Sequence, residues 1–261
     1  MGQVAGGEIL LKGLAKKIYI WYNEIKLIEG VVMLIKGLQK LTLLDYPDKL
    51  ACTVFLGGCN FRCPFCHNAS LVRCSGGDEI SCDEFFAFLE SRRGRLDGVC
   101  VSGGEPTLNK ELVDFIRRIK AMGFLVKLDT NGSNPDMLEQ LIDEKVLDYV
   151  AMDIKGSRRG YYTAAGIEDA LFLSLVKHSV HILKEGRVDY EFRTTLVSEL
   201  HAPEDFHDVG EWLHGDSKYY LQAYRNEGDL LVGGFTAFTP EETNKILEIV
   251  KDYLPNTQIR G

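Results

Sequence analysis

The chain has 261 residues, of which 45% are hydrophobic and 26% are charged, a balance typical of a globular protein and unlike that of a disordered, collagen-like or coiled-coil chain. Its 38 acidic and 30 basic residues give a formal charge of −8, which repels phosphate backbones and makes nucleic acid a poor partner. No apolar run reaches the roughly 18 residues of a membrane helix, and the seven cysteines are too few, and odd in number, for a disulfide scaffold, so we expect a cytoplasmic protein with reduced thiols.

Residues 1–37 differ in composition from the rest of the chain. They are rich in glycine at first and then mix apolar with basic residues. Two interpretations stay open: a helix on the domain surface, or an N-terminal extension that precedes a true start at Met33. Residues 38–261 are expected to form the core domain, which ends in a C-terminal helix.

From residue 50 onward, short apolar runs alternate with helical patterns, as in a parallel α/β sheet with right-handed crossovers. Periodicity does not separate an open doubly wound sheet from a partial (β/α)6 barrel, but both place their chemistry at the carboxyl ends of the strands. The predicted strands are Ala51–Leu56, Gly98–Ser102, Leu125–Asp129, Tyr149–Asp153, Tyr190–Leu196 and Tyr219–Ala223. The predicted helices lie near Cys82–Ser91, Lys110–Met122, Pro135–Glu144, Ala170–Leu183, Pro203–Leu213 and Pro240–Tyr253.

Three cysteines, Cys59, Cys63 and Cys66, fall within eight residues directly after the first predicted strand. A structural zinc site needs a fourth ligand, and the adjacent His67 is poorly placed to reach the same ion. A four-iron cluster takes one thiolate per iron, so three thiolates leave one iron open to a substrate. We expect this loop to lie outside the apolar core.

A C-x3-C-x2-C motif after the first strand resembles the signature of radical S-adenosylmethionine (SAM) enzymes. The resemblance implies a partial (β/α)6 TIM barrel, a [4Fe-4S] cluster held by Cys59, Cys63 and Cys66, and SAM bound at the open iron. The cluster would then carry the difficult chemistry, and the protein would bind and orient the substrate. A zinc site or a plain electron-transfer module remains the alternative.

The Gly103-Gly104-Glu105 sequence ends the second predicted strand, where glycines allow the backbone to approach a ligand closely. A carboxylate can accept a hydrogen bond from an ammonium group, and the resemblance implies that this motif binds the SAM amino group; a simple turn is the alternative. By the same resemblance, Phe65 packs near the adenine and His67 contacts adenine or a peptide substrate. The alternatives are core packing for Phe65 and a structural role for His67.

Two further strand ends carry carboxylates, with Asp129-Thr130 after the third strand and Met152-Asp153 after the fourth. These residues resemble the glycyl-radical activating enzymes, which implies that Asp129, Thr130, Met152 and Asp153 hold a monovalent cation beside the SAM carboxylate. Oxygen ligands suit a hard cation. The alternatives are a strand-ending turn and a solvated ion pair between Asp153 and Lys155.

Arg193 lies on the fifth predicted strand, where an inward guanidinium needs a carboxylate partner. We assign Arg193 to SAM or to the charges at the strand ends, and Gln222 and Arg225 near the sixth strand could serve similarly. Cys74 and Cys82 flank a glycine-rich loop, and a second cluster would need more ligands than these two.

Four segments look like one subfamily, the activating proteins of anaerobic ribonucleoside-triphosphate reductase: Leu44–Pro47, Gly57–Arg62, Lys127–Pro135 and Tyr149–Lys155. The resemblance implies reductive cleavage of SAM, formation of a glycyl radical on the reductase, and a flavodoxin or ferredoxin-type electron donor. Three alternatives stay open: another glycyl-radical enzyme as the target, a small-molecule substrate, and a non-catalytic iron–sulfur or zinc module.

Overall fold

The computed structural model describes residues 33–75 and 79–260. Their strands are β1 (Ile35–Thr42), β2 (Ala51–Leu56), β3 (Gly98–Gly103), β4 (Leu125–Thr130), β5 (Tyr149–Asp153), β6 (Asp189–Leu196), β7 (Lys218–Ala223) and β8 (Thr257–Arg260). All eight form one sheet in which the spatial order is the sequence order. β1 is antiparallel to β2, and each later neighbour is parallel.

The helices alternate with the strands, and a 3-10 turn at Pro106–Leu108 follows β3. The described α-helices are α1 (Ala69–Arg73), α2 (Cys82–Glu90), α3 (Leu112–Ala121), α4 (Pro135–Asp143), α5 (Tyr161–Ala165), α6 (Ala170–Lys184), α7 (Asp205–Leu213) and α8 (Pro240–Lys251). Two of them begin as the sequence predicts. The side chain of Asn134 caps α4, and that of Thr239 caps α8 in a capping box with Glu242.

The strand order selects the barrel over the doubly wound sheet. A doubly wound sheet reverses its strand order at a switch point, whereas β1 to β8 progress in one direction around the structure. Neither edge strand is paired with the other among the described residues. The predicted α/β fold of the partial TIM-barrel type is therefore confirmed, and all six predicted strands are present as β2 to β7.

Two edge strands were not predicted. β1 mixes buried with exposed positions and β8 has four largely polar residues, so neither has an apolar run. Ile35 in β1 is wholly buried, so the sheet begins before the boundary expected after residue 37. The predictions for residues 1–32, a surface helix or a non-native start, lie outside the described residues.

The sheet has apolar helices on its outer side and polar groups within it. Phe85 and Phe86 of α2 contact Phe115 of α3, with ring centroids 5.2 and 5.3 Å apart. Lys127 and Glu191, by contrast, are buried on strands. Because buried charges need partners, Lys127 pairs with Asp129, and Glu191 pairs with Arg260 and the Tyr149 hydroxyl. No described helix is both long and apolar enough to cross a membrane.

Candidate active site

A cavity of about 300 Å³ lies at the carboxyl ends of the strands. It brings together the predicted site residues with two exceptions, Glu105 and Met152. The predicted residues that line it are Cys59, Cys63, Phe65, Cys66, His67, Gly103, Gly104, Asp129, Thr130, Asp153 and Arg193. Residues of five different strand ends or loops therefore meet at one place, as parallel strands in a barrel require.

The three cysteines lie on the segment 57–74, which we call the cluster loop. The Phe61 amide donates to Cys59 Sγ and the Asn68 amide to Cys66 Sγ, each at 3.4 Å. Cys63 is only 8% exposed and belongs to the core. The expectation that this loop lies outside the core is therefore wrong, because its alternate side chains pack into the barrel mouth.

Burial raises the pKa of the Cys59 thiol to about 12 and that of the Cys63 thiol to about 11. These thiols are therefore neutral at pH 7 unless a positively charged group favours the thiolate. Metal binding provides that charge and releases the protons. Within the described residues, no three His, Cys, Asp or Glu side chains surround a single-ion position, but a four-iron cluster takes one thiolate per iron and does not require one.

A second segment, residues 227–232, covers the cluster loop, and we call it the strap. The amides of Leu231 and Val232 donate to the carbonyls of Cys66 and Pro64, both at 3.0 Å. The Asp229 carboxylate accepts from the Ser70 amide at 2.5 Å. The sequence analysis did not predict the strap, because no local pattern indicates a contact between two segments about 160 residues apart.

The strap also contacts the side chain of His67. Its Nδ1 lies 3.1 Å from the Glu227 carbonyl, and its ring meets that of Tyr224 edge-on with centroids 5.2 Å apart. His67 still borders the cavity. Its contacts support the structural interpretation and leave its other face available to a ligand.

Gly103 and Gly104 allow two loops to approach closely. A Cβ on Gly103 would lie 2.2 Å from the Leu56 carbonyl oxygen, and one on Gly104 would lie 2.1 Å from that of Gly58. Gly103 also has a φ of +129°, which side-chain-bearing residues rarely adopt. The backbone beside Cys59 can therefore reach the cavity only because these residues have no side chain.

Glu105 is wholly buried and does not line the cavity. Its carboxylate accepts from the Thr107 amide and hydroxyl, from the Thr130 hydroxyl at 2.8 Å and from the Asn131 amide at 2.6 Å. Burial raises its pKa despite these donors. The carboxylate thus joins the ends of β3 and β4, and the glycine backbone is what this motif presents to the cavity.

Five charged side chains meet at the strand ends, and we call them the charged rim: Lys127, Asp129, Asp153, Lys155 and Arg193. Arg193 Nε donates to Asp153 at 2.8 Å, and Arg193 Nη1 lies 3.5 Å from Asp129. Lys155 contacts Asp153 at 3.1 Å, and Lys127 donates to Asp129. Alternation along β4 places Lys127 on the face of Asp129, a signal that the sequence analysis overlooked.

The rim fixes the ionisation of its carboxylates. Burial alone would raise the pKa of Asp153, but Arg193 and Lys155 lower it to about 2. Burial is likewise outweighed at Asp129, whose pKa is lowered by Arg193 and Lys127. Both carboxylates are therefore charged at neutral pH, and the carboxylates in turn raise the pKa of Arg193 and Lys155.

Met152 does not join the cavity. It lies between Ala151 and Asp153 on β5, so its side chain projects to the opposite face of the sheet from Asp153. It is wholly buried, and a Cβ on Gly132 would lie 2.0 Å from Met152 Cε. The Met152 side chain is thus packed in the core rather than beside the carboxylates.

A second cavity, of about 500 Å³, adjoins the first at the ends of β6 and β7. His67, Thr195 and Gln222 line both cavities. Arg225 and Glu227 line only the outer one. Gln222 therefore stands between the two spaces, while Arg225 lies farther out than the sequence analysis expected.

Comparison with known proteins first defines the class. Residues 53–171 match the family model of the radical SAM superfamily. A radical SAM methyltransferase from Sphaerobacter thermophilus has a similar fold, with a TM-score of 0.65 and 17% identity over 84% of this chain and 68% of that one. The chain belongs to the radical SAM superfamily, whose members use a [4Fe-4S] cluster and SAM.

Two relatives narrow the class. A putative glycyl-radical enzyme activating enzyme of Methanocaldococcus jannaschii is 32% identical over 87% of this chain and 95% of its own length. The pyruvate formate-lyase-activating enzyme of Clostridium pasteurianum is 32% identical over 46% of this chain and 52% of its own length. Within the superfamily, the chain belongs to the glycyl-radical enzyme activating enzymes.

Proposed function

We propose that this protein generates a glycyl radical on anaerobic ribonucleoside-triphosphate reductase, in the cytoplasm, with a catalytic core that includes β1 from Ile35 onward. Its activating-enzyme family supports a glycyl-radical protein as the partner. The four segments that resemble the reductase activating proteins support this particular target. Three of them, Gly57–Arg62, Lys127–Pro135 and Tyr149–Lys155, contribute residues to the inner cavity.

In this proposal, Cys59, Cys63 and Cys66 hold the [4Fe-4S] cluster. The bound cluster would supply, after reduction by a flavodoxin or ferredoxin, the one electron needed to split the sulfonium of SAM into methionine and a 5′-deoxyadenosyl radical. The amides beside the cysteine sulfurs and the close approach of Gly104 to the loop support this assignment. The protein's own residues bind SAM, orient it and exclude water.

Other cavity residues would bind SAM. The backbone of Gly103 and Gly104 faces the amino group, and Phe65 lies against the adenine. Arg193 is the strongest candidate for the SAM carboxylate, because it is a buried cation that borders the cavity. Hydrogen bonds between such charged groups are stronger than those between neutral groups.

The observation that supports a protein as the substrate is the outer cavity. It is polar, borders the inner cavity through Gln222 and Thr195, and has about 500 Å³ of space. A glycine loop has no side chain to bury and offers amide groups, which side chains of this kind can bind. The 5′-deoxyadenosyl radical would take a hydrogen atom from the glycine Cα, which yields 5′-deoxyadenosine and the glycyl radical.

The test is anaerobic mixing of the reconstituted protein, SAM and a reductant with the co-expressed reductase. We expect a glycine-centred doublet in electron paramagnetic resonance, and none with a reductase whose radical glycine is replaced by alanine. A doublet only on a pyruvate formate-lyase would move the target to that enzyme. SAM cleavage with no doublet on any glycyl-radical protein would favour a small-molecule substrate, and no cleavage at all would leave a non-catalytic module.

A further inference from the structure

The charged rim holds three cationic side chains against two carboxylates. Lys127, Lys155 and Arg193 are the cations, and Asp129 and Asp153 are the carboxylates. Three cationic side chains paired with two carboxylates give the rim a formal charge of about +1 before any ligand binds. A site that already has excess positive charge attracts an anion and repels a metal cation.

We propose that Lys127 is the resident cation of this site, so that Arg193 and Lys155 bind the SAM carboxylate directly and no monovalent metal ion takes part. The inference rests on SAM binding as described under the proposed function. It replaces the cation site that the family resemblance implied for Asp129, Thr130, Met152 and Asp153. The residues of this chain do not fit that site, for three reasons.

The first reason is that both oxygens of Asp129 are engaged. Lys127 donates to Oδ1, and Ser102 Oγ donates to Oδ2 at 3.1 Å. Arg193 Nη1 lies 3.5 Å from Oδ2. The Lys127 side chain is only 2% exposed, and its ammonium also contacts Cys100 Sγ at 3.8 Å. A metal ion bound to Asp129 would lie beside this fixed ammonium group.

The second reason is that Asp153 is engaged as well. Arg193 Nε donates to Oδ1 at 2.8 Å, and Lys155 Nζ donates to Oδ2 at 3.1 Å. Asp153 is 32% exposed, so it borders the cavity, but each oxygen already has a cationic donor. Its carboxylate serves to orient Arg193 and Lys155, and both of these cations border the cavity that would receive an anion.

The third reason concerns the other two side chains. The Thr130 hydroxyl donates to Glu105 at 2.8 Å and accepts from the Gly132 amide at 3.0 Å. Met152 projects to the opposite side of the sheet. Glu105 and Gly132 therefore hold the Thr130 hydroxyl, and the Met152 side chain is directed away from the cavity. The side chains left to a cation are chiefly two carboxylates that are already paired.

The decisive measurement is equilibrium SAM binding to the cluster-loaded protein by calorimetry, in sodium, potassium or choline chloride at one ionic strength. For the wild type, we expect dissociation constants that agree within about twofold, because no metal ion contributes. For Lys127→Met, we expect SAM binding at least about tenfold weaker in choline, since the charge-assisted contact between Lys127 and Asp129 is lost. Sodium or potassium should restore part of this loss by filling the vacated position.

Lys127→Arg should keep the cation independence, and Lys245→Met, at an exposed pair with Glu204, should bind like the wild type. A wild type that loses SAM affinity about tenfold in choline would overturn the inference, even if Lys127→Met failed to fold. Lys127→Met that binds as the wild type does in choline would also overturn it. Absence of SAM binding in every salt would instead refute the proposed function.

Discussion

The cluster loop and the charged rim face the same cavity but differ in whether the protein itself provides partners for their ionisable groups. In the cluster loop, Cys59 and Cys66 receive only long contacts from backbone amides, and burial keeps the Cys59 and Cys63 thiols neutral. In the rim, each carboxylate has two cationic neighbours. The loop needs an added charged group to ionise, whereas in the rim the fold alone supplies each carboxylate with its cationic partners.

The largest effect is expected in the region that needs the added group. Cys66→Ser should abolish cluster assembly and lower SAM cleavage at least about 100-fold, because a ligand is lost rather than weakened. Cys66 is half-buried, so this change disturbs the core less than one at Cys63 would. Iron content, cluster absorbance and 5′-deoxyadenosine formation measure the result.

Cys74→Ser is the matched control, because Cys74 is an exposed thiol on the same loop. It should keep both the cluster and the cleavage activity. Equal losses in Cys66→Ser and Cys74→Ser would show that the loop is sensitive to any change, and would remove the distinction between ligand and neighbour.

A smaller effect is expected beneath the rim, at Glu105. Glu105→Gln keeps the shape but replaces one of the two carboxylate oxygens, each of which accepts at least one hydrogen bond, with an N–H2 group that cannot accept. An unsatisfied buried polar group costs about 1–3 kcal/mol, so the free energy of unfolding should fall by that amount in denaturant titrations. Glu204→Gln, at an exposed pair, should change it by less than about 1 kcal/mol. Equal stability of the two variants would contradict the structural role of Glu105.

The smallest effect concerns acid stability of the iron-free protein. The pKa of Asp153 is lowered to about 2 in the folded state, so its pairing stabilises the fold above the unfolded pKa of about 4 and is lost as the pH falls toward 2. The side chain is 32% exposed, so solvent screening limits this contribution to about 1 kcal/mol.

Asp153→Asn should therefore lower the unfolding free energy at pH 6 and flatten its fall between about pH 4 and 2. Asp114→Asn, at a pair where Asp114 is 81% exposed, should leave the profile nearly unchanged. Thermal unfolding at several pH values measures both. An unchanged profile for Asp153→Asn would mean that the rim contributes nothing to stability and is not pre-organised by pairing.

The contrast between the loop and the rim also separates the features that could be predicted from the sequence from those that could not. Local sequence patterns located the strands β2 to β7 and the helix caps at Asn134 and Thr239, because these features depend on neighbouring residues. The cysteine triplet is local as well, because three cysteines within eight residues can be recognised without knowledge of the fold. The edge strands β1 and β8 were missed, since their pairing comes from the sheet and not from an apolar run.

The sequence by itself thus determined the type of fold, the cysteine motif and the end of the sheet where the candidate site lies. Only the tertiary structure decided that the buried Glu105 carboxylate joins the ends of β3 and β4 and that Lys127 pairs with Asp129. It also decided that Met152 faces the core and that the strap covers the cluster loop. These outcomes depend on which side chains meet across strands or loops far apart in sequence. The register of the sheet and the competition for buried hydrogen bonds decide that, and neither is written in a local pattern.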